Sequence, residues 1–212
     1  PTGNFGDIYA GYLAKKMGLP IDKLIVATNQ NDILHRAISK GDYTSKKVSE
    51  TFSPSMDIQI ASNFERLIFE IQGRNSDKTK DIMVKVKENN YKLDDTSLSK
   101  IKKDFLSEKL NEEETINEIK DVFEKHNIVL DPHTAIGYGA AKKLEQDNNC
   151  VILSTAHPSK FPEAIKNALG KNEELPKDLR KVLKEEEKFE ILENSLNKVK
   201  NYILNKVNEN KN

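Results

Sequence analysis

A short apolar run between two helical patterns is the feature that most constrains the fold of this chain. Residues 24–28 (Leu-Ile-Val-Ala-Thr) carry no charge, which is typical of a strand buried on both faces of a parallel sheet. Residues 7–17 before the run and 33–39 after it carry apolar side chains at helical spacing. This alternation predicts an α/β fold with an open, mostly parallel sheet and flanking helices. Further strands are predicted at residues 56–60, 128–130 and 151–154.

The first residues form a glycine-flanked turn that runs directly into a helical pattern. Gly3 and Gly6 enclose Asn4 and Phe5, and Asp7 follows as a capping residue. Glycine allows close backbone approach, and the first N–H groups of a helix are free, so the turn predicts a phosphate site. An ordinary strand-to-helix turn is the alternative. Because a phosphate turn of this kind follows a strand, we expect the chain to be the C-terminal piece of a longer protein.

Polar residues follow two of the predicted strands. Asn29 and Asp32 come after the first apolar run, and Thr155 comes directly after the run at 151–154. The carboxyl ends of parallel strands lie at one edge of a sheet, where ligands of α/β proteins bind. We therefore predict that Thr155 and residues 3–7 line one pocket. Asn29 and Asp32 are expected to border it, with turn and capping chemistry as the alternative role for such residues.

The patterns divide the chain into four parts. Residues 1–72 and 127–170 have α/β character and are predicted to form the two pieces of the ligand-binding part. Residues 73–126 are charged, poor in glycine and helical in pattern, so they predict an inserted helical subdomain. Residues 171–212 are predicted to form a C-terminal helical segment rich in Lys and Glu.

Composition argues against several classes of function. The 34 Lys and Arg residues balance 34 Asp and Glu residues, so the chain has no net charge with which to hold nucleic acid or an anionic membrane. No apolar run approaches the roughly 20 residues of a membrane span. Cys150 is the only cysteine; this excludes an internal disulfide, suits the reducing cytoplasm and predicts a buried thiol. His133 and His157 lack the companions of a metal site, and we predict hydrogen-bonded loop roles for both.

Six segments, taken in order along the chain, carry a resemblance to a known family. They are residues 1–8, 23–35, 53–58, 62–67, 130–135 and 154–161. Together they resemble threonine synthases, in the longer form found in fungi and many bacteria. The similarity covers nearly the whole chain and weakens in residues 73–126 and after Lys171. Six segments in the same order are more specific than any single motif.

This resemblance implies a tryptophan-synthase-β-like fold and pyridoxal 5′-phosphate as cofactor. It implies that Thr155 bonds the pyridine nitrogen through its hydroxyl. Family members convert O-phosphohomoserine and water to threonine and phosphate. Their Schiff-base lysine lies upstream, so we expect no catalytic residue in this chain and a need for the N-terminal remainder of the same protein. The residues implied to bind the cofactor phosphate through N–H groups are Gly3, Asn4, Phe5, Gly6 and Asp7.

Two alternatives remain open beside this function. A catalytically silent relative of threonine synthase would keep the phosphate turn and bind the cofactor without turnover. A related pyridoxal-phosphate lyase would instead remove a different leaving group. The presence of an upstream lysine distinguishes the enzymes from the silent protein.

Overall fold

Helices and strands follow one another along the first part of the chain in the order expected of an α/β protein. The computed structural model describes residues 1–89, 91–144 and 150–209. It contains two compact units, Pro1–Glu174 and Leu175–Asn212. The elements described in the first unit are α1 (Gly6–Lys16), β1 (Leu24–Thr28), α2 (Ile33–Lys40), α3 (Phe64–Ile71), α4 (Ser76–Lys87), α5 (Asp95–Asp104), β2 (Phe105–Lys109), α6 (Glu112–His126), α7 (Pro132–Lys143) and α8 (Pro162–Leu169).

The two strands form a parallel pair. Leu24 lies opposite Phe105, and Thr28 lies opposite Lys109. β1 is the predicted strand, and the α/β class is confirmed. β2 lies within residues 73–126, which we predicted to be helical throughout, so that prediction is wrong at these five residues. Its polar Ser-Glu-Lys end carries little strand signal, and pairing with β1 across a long sequence separation decides its conformation.

Aromatic packing ties the glycine turn to the core. Phe5 is fully buried, and its ring lies 5.1 Å from Phe64 in an edge-on arrangement and 5.7 Å from Phe105. Tyr43 packs against Phe64 at 4.8 Å. The Tyr43 hydroxyl donates to the Ala61 carbonyl at 3.0 Å and accepts from the Ala61 N–H at 2.9 Å. Burial raises the pKa of Tyr43 to about 12, so this hydroxyl stays neutral at any physiological pH.

The predicted strand at residues 56–60 is absent. Pro54–Met56 form a short 3-10 helix instead. The Asp57 carboxylate, directly after it, accepts hydrogen bonds from the N–H and the hydroxyl of Thr51, at 2.9 and 2.6 Å. These local bonds bend the backbone back toward Thr51, which is incompatible with an extended strand.

Two other predicted strands are absent from the described part of the chain. Residues 128–130 follow Asn127, which ends α6 in the left-handed conformation, and they lead into α7 without a strand partner. Residues 151–154 are also irregular, and Val151 is 87% exposed. A strand needs a hydrogen-bonded neighbour, and the described residues provide none here. Cys150 is exposed rather than buried, so that prediction is wrong as well.

Small residues allow α7 to approach the sheet closely. A Cβ on Gly139 would lie 2.5 Å from a methyl of Leu110, directly after β2. Ile136 and Ala140, on the same helix, are buried beside Ala27 of β1. This packing holds α7 against the strand pair, and His133 in the first turn of the helix lines the candidate site.

The second unit contains two helices in its described residues. These are α9 (Lys177–Val182) and α10 (Leu196–Glu209). Residues 183–195 between them are not helical, so the predicted C-terminal helical segment is interrupted. Residues 210–212 lie outside the described ranges. Among the described residues of both units, no helix has the length and apolar character needed to cross a bilayer.

Candidate functional site

The glycine turn begins α1 in a conformation that leaves its backbone open. Phe5 occupies the position before the helix in the left-handed region, with φ of 65° and ψ of 13°. Its side chain is held in the core against Phe64 and Phe105. A Cβ on Gly3 would lie 2.7 Å from Met56 Cα and 2.8 Å from the Ser55 carbonyl oxygen. Only glycine allows the two backbone segments to lie this close.

The N–H groups of the turn have no acceptor. Among the described residues, no hydrogen bond is made by the N–H groups of residues 3–8. The turn is nonetheless well anchored, because the Asn4 carbonyl accepts from the N–H of Asn63 and the Asn4 side chain accepts from Ser62. A helix N-terminus that begins with a left-handed residue and has free N–H groups is typical of an anion site. The turn therefore fits a phosphate group.

A cleft of about 280 Å³ lies against this turn. It brings together two regions that are far apart in the sequence, since Thr155 lines the same cleft as the turn. Phe5 does not line it, because the whole residue is buried in the core. The lining residues are Pro1, Thr2, Gly3, Asn4, Gly6, Asp7, Ser55, Met56, Asn63, His133, Thr155, Ala156, Lys160 and Phe161.

Thr155 is positioned by the N-terminus of α7. Its N–H donates to the hydroxyl oxygen of Thr134 at 3.3 Å, and the Thr134 hydroxyl donates to Asp131. Asp131 caps α7 by accepting from the His133 N–H at 3.0 Å. Burial opposes ionisation of Asp131, but hydrogen bonds from His133 and Thr134 outweigh it and lower the pKa of this carboxyl. Asp131 is therefore ionised, and its carboxylate holds the Thr134 hydroxyl.

His133 is the cleft residue that sequence reasoning undervalued. It is 5% exposed, and its Nδ1 lies 3.0 Å from the Asp131 carboxylate. Its ring lies 4.8 Å from that of Phe161. The Nε2 atom is buried and has no hydrogen-bond partner within the described residues. The Asp-Pro-His-Thr pattern was a usable signal, because an aspartate before Pro marks a helix start and places the next two polar side chains beside it.

His157 has the loop role that we predicted. Its Nδ1 lies 2.7 Å from the Ser159 hydroxyl oxygen and accepts from the Ser159 N–H at 3.2 Å. It does not approach His133 to form a metal site. Across the described ranges, His, Cys, Asp and Glu side chains form no group of three that could hold a metal ion.

Asn29 lies in a buried polar network rather than at the wall of the cleft. Its amide donates to the Thr51 hydroxyl at 2.9 Å and to Asp57 at 2.8 Å. Its side-chain oxygen accepts from the Asn31 N–H at 2.8 Å. The network holds the loop after β1 against residues 51–57, and Met56 of that segment lines the cleft. Asn29 thus stabilises the segment that carries Met56 and does not line the cleft itself.

Asp32 is likewise not brought to the cleft. Its carboxylate binds Arg36 of α2 at 2.9 Å and Lys109 of β2 at 2.6 Å. Burial opposes ionisation, but these two cations outweigh it and lower the pKa of Asp32. Asp32 therefore joins α2 to the strand pair, which is a structural role and differs from the predicted place at the pocket border.

The fold and the cleft together define a class of protein. A parallel strand pair flanked by helices, with an open helix N-terminus and a polar loop meeting in one cleft, is typical of α/β proteins that bind a phosphorylated cofactor. The hydroxyl of Thr155 offers a neutral hydrogen-bonding group in the cleft that the turn also lines.

Comparison with known proteins finds relatives within this class. Residues 134–203 match the family model described as "Threonine synthase, C-terminal". The threonine synthase of Pseudomonas aeruginosa is 43% identical over 207 residues, which cover 96% of this chain and 44% of that protein. A solved structure of a PLP-bound threonine synthase from Brucella melitensis superimposes with a TM-score of 0.85 at 44% identity, covering 96% of this chain and 44% of that one.

Yeast threonine synthase gives the same result. Its structure superimposes with a TM-score of 0.83 at 39% identity and covers 99% of this chain and 47% of its own. The resemblance found in the sequence is thus confirmed: the chain is similar to threonine synthases over nearly its whole length, and residues 134–203 match the model of their C-terminal part. It spans slightly less than half the length of these relatives.

Proposed function

We propose that this chain is the C-terminal, cofactor-binding part of a pyridoxal-phosphate-dependent threonine synthase. The whole protein would convert O-phosphohomoserine and water to threonine and phosphate. The observation that carries the proposal is the cleft in which the free N–H groups of the turn meet Thr155. The relatives support it, because the Brucella melitensis threonine synthase was solved with PLP bound.

The residues of the cleft have separate tasks in this function. The N–H groups of Gly3, Asn4, Phe5, Gly6 and Asp7 would hold the cofactor phosphate, aided by the positive end of the α1 dipole. The Thr155 hydroxyl would bind the pyridine nitrogen and orient the ring. When bound, pyridoxal phosphate supplies an electron-poor ring that stabilises negative charge on carbon atoms of an attached substrate. A neutral hydroxyl at the nitrogen leaves that ring a milder electron sink than a carboxylate partner would.

The proposed function also requires the N-terminal remainder of the same protein. The lysine that binds the cofactor covalently is expected there, and none of the lysines in this chain lies in the corresponding motif. O-phosphohomoserine is the proposed substrate, and nucleic acid and membranes are not expected partners because the net charge is zero. The lone cysteine fits a cytoplasmic location for the protein.

Substitution of Thr155 tests the function. In the full-length protein, Thr155→Val keeps the shape of the side chain and removes the hydroxyl. We expect phosphate release from O-phosphohomoserine to slow about 10- to 100-fold, because an unmet buried acceptor costs about 1–3 kcal/mol. Thr155→Ser, which keeps the hydroxyl, should retain activity within about threefold. Circular dichroism should show both variants folded, since Thr155 is exposed.

The same assay decides between the enzyme and its alternatives. Pyridoxal-phosphate binding by the full-length protein without phosphate release would identify the catalytically silent relative. Turnover of a different amino-acid substrate would identify a related lyase. The 212-residue chain by itself is expected to release no phosphate, and robust turnover by that chain would overturn the expectation of an upstream lysine.

A further inference from the structure

The hydroxyl of Thr134 connects the helix-capping aspartate to the loop that carries Thr155. Thr134 is 4% exposed, and its hydroxyl donates to the Asp131 carboxylate. Its lone pairs are then free to accept, and one of them accepts from the Thr155 N–H at 3.3 Å. A threonine hydroxyl has one proton and two lone pairs, so both bonds are satisfied at the same time. The direction of each bond is fixed, because a carboxylate only accepts and an N–H only donates.

The loop has few other supports near this position. Residues 151–155 are irregular, and Val151 and Leu153 are 87% and 51% exposed. Within the described residues, the bond to Thr134 is the hydrogen bond that Thr155 makes. The Thr155 backbone is thus held to α7 by the hydrogen bond to Thr134, while Ile152 of the same loop lies against Gly137 of that helix.

The other end of the connection is rigid. Asp131 is 1% exposed and accepts from the N–H of His133 at 3.0 Å, with the ring Nδ1 of His133 at the same distance. Pro132 follows at the first helical position, where its fixed φ favours the helix start. The carboxylate thus cannot turn away from Thr134 without breaking the cap of α7.

We propose that Thr134 is a positioning residue, whose hydroxyl holds Thr155 at the wall of the cofactor cleft. The proposal rests on the proposed function, since the task of Thr155 toward the pyridine nitrogen comes from it. Thr134 does not line the cleft itself. Its effect on the cofactor is indirect and passes through the N–H of Thr155.

Substitution of Thr134 in the full-length protein tests this proposal. Thr134→Val keeps the volume and removes both bonds, whereas Thr134→Ser keeps the hydroxyl. Thr115→Val is a matched control, because Thr115 is also fully buried near the start of a helix and its hydroxyl donates to the Asn111 carbonyl at 2.8 Å. Thr115 lies on α6 and does not line the cleft.

Three readouts separate positioning from plain stability. We expect Thr134→Val to weaken pyridoxal-phosphate binding about tenfold in an absorbance titration and to shift the absorption maximum of the bound cofactor. Thr134→Ser should restore both. Thr115→Val should lower the melting temperature to a similar degree and leave both cofactor readouts unchanged. Equal effects of Thr134→Val and Thr115→Val on the cofactor, or no rescue by Thr134→Ser, would overturn the proposal.

Hydrogen exchange keeps the test independent of the proposed function. If the wild-type protein binds no pyridoxal phosphate, the proposed function fails, and the exchange rate of the Thr155 N–H still decides the positioning role. Exchange at least about tenfold faster in Thr134→Val than in Thr115→Val would support the hydrogen bond as the support of this loop. Equal exchange in the two variants would refute it.

Discussion

At the scale of single residues, the candidate site depends on which backbone atoms can come close together. Gly3 sits where a side chain would strike Met56 and Ser55, whereas Gly6 faces open space apart from Asn63 at 3.4 Å. Phe5 has a different role, since its buried ring packs against Phe64 and anchors the turn in the core. The sequence pattern of two glycines around Asn and Phe does not distinguish the role of Gly3 from that of Gly6 or Phe5. The contacts of each residue do.

The two glycines of the turn should therefore respond differently to the same substitution. Gly3→Ala places a Cβ 2.7 Å from Met56 Cα, which forces backbone to move, and we expect a loss of about 1–3 kcal/mol in the free energy of unfolding. Gly6→Ala lies at the start of α1, where alanine favours the helix, and should be neutral or stabilising by up to about 1 kcal/mol. Urea denaturation of both variants measures the difference. Similar losses in the two would contradict the close approach at Gly3.

At the scale of elements, buried charge joins the strands to the helix between them. Asp32 binds Arg36 of α2 and Lys109 of β2, and Arg36 also binds Asp42. β2 is the element that local patterns misassigned, and its Lys109 is the partner that completes this ion network. The network, the pairing of β1 with β2 and the Phe105 contacts in the core together hold β2 in place beside β1.

The stability contributed by Asp32 should depend on pH in a defined direction. Its folded-state pKa lies below the ordinary value of 3.8 despite burial, because Lys109 and Arg36 favour the ionised form. The contribution is therefore complete above that ordinary value and is lost as pH falls through the lower folded-state pKa. Asp32→Asn should lower the free energy of unfolding by about 1–3 kcal/mol at pH 7, with a smaller difference at acid pH.

An exposed carboxyl on α4 provides the control for this pH dependence. Asp81 makes no ion pair within the described part of the chain. Asp81→Asn should change the free energy of unfolding by less than about 0.5 kcal/mol at either pH. A constant difference between wild type and Asp32→Asn from pH 7 down to pH 3 would show that the Asp32 charge does not stabilise the fold.

At the scale of the whole molecule, the chain consists of two units of different character. Pro1–Glu174 contains the strand pair, the three buried apolar clusters and the cleft. Leu175–Asn212 contains two helices with no buried residue among those described, and Phe189 is 72% exposed. The core that stabilises the fold therefore lies in the first unit.

Removal of the second unit tests this division. A chain ending at Glu174 should keep the thermal midpoint of the 212-residue chain within a few degrees, because no buried cluster is lost. Its near-ultraviolet circular dichroism should also be unchanged apart from the contribution of the aromatic rings removed with Phe189 and Tyr202. A chain cut instead after Asn111, before α6, should lose cooperative unfolding, since it removes Ile119, Ile136 and Ile165 from the core. A large loss of stability in the chain ending at Glu174 would contradict the division into units.

The elements that the sequence determined by itself are those held by local interactions. β1, α1, α2 and the helix capped by Asn111 and Glu114 were predictable because their signals are local: an uncharged run, helical spacing and a capping box. The open form of the turn is also local, since it depends on glycine and on the free N–H groups of one helix end. The order of six short segments was sufficient to indicate the family.

The tertiary structure decided what depends on partners distant in sequence. Residues 105–109 became a strand through pairing with β1, and residues 151–154 did not, although their local pattern is more strand-like. The same holds for the site. Asn29 and Asp32 follow a strand and still turn into buried networks, while Thr155 reaches the cleft through a bond to Thr134. Hydrogen-bond partners and burial determine these positions, and the spacing of residues along the chain predicts neither of them.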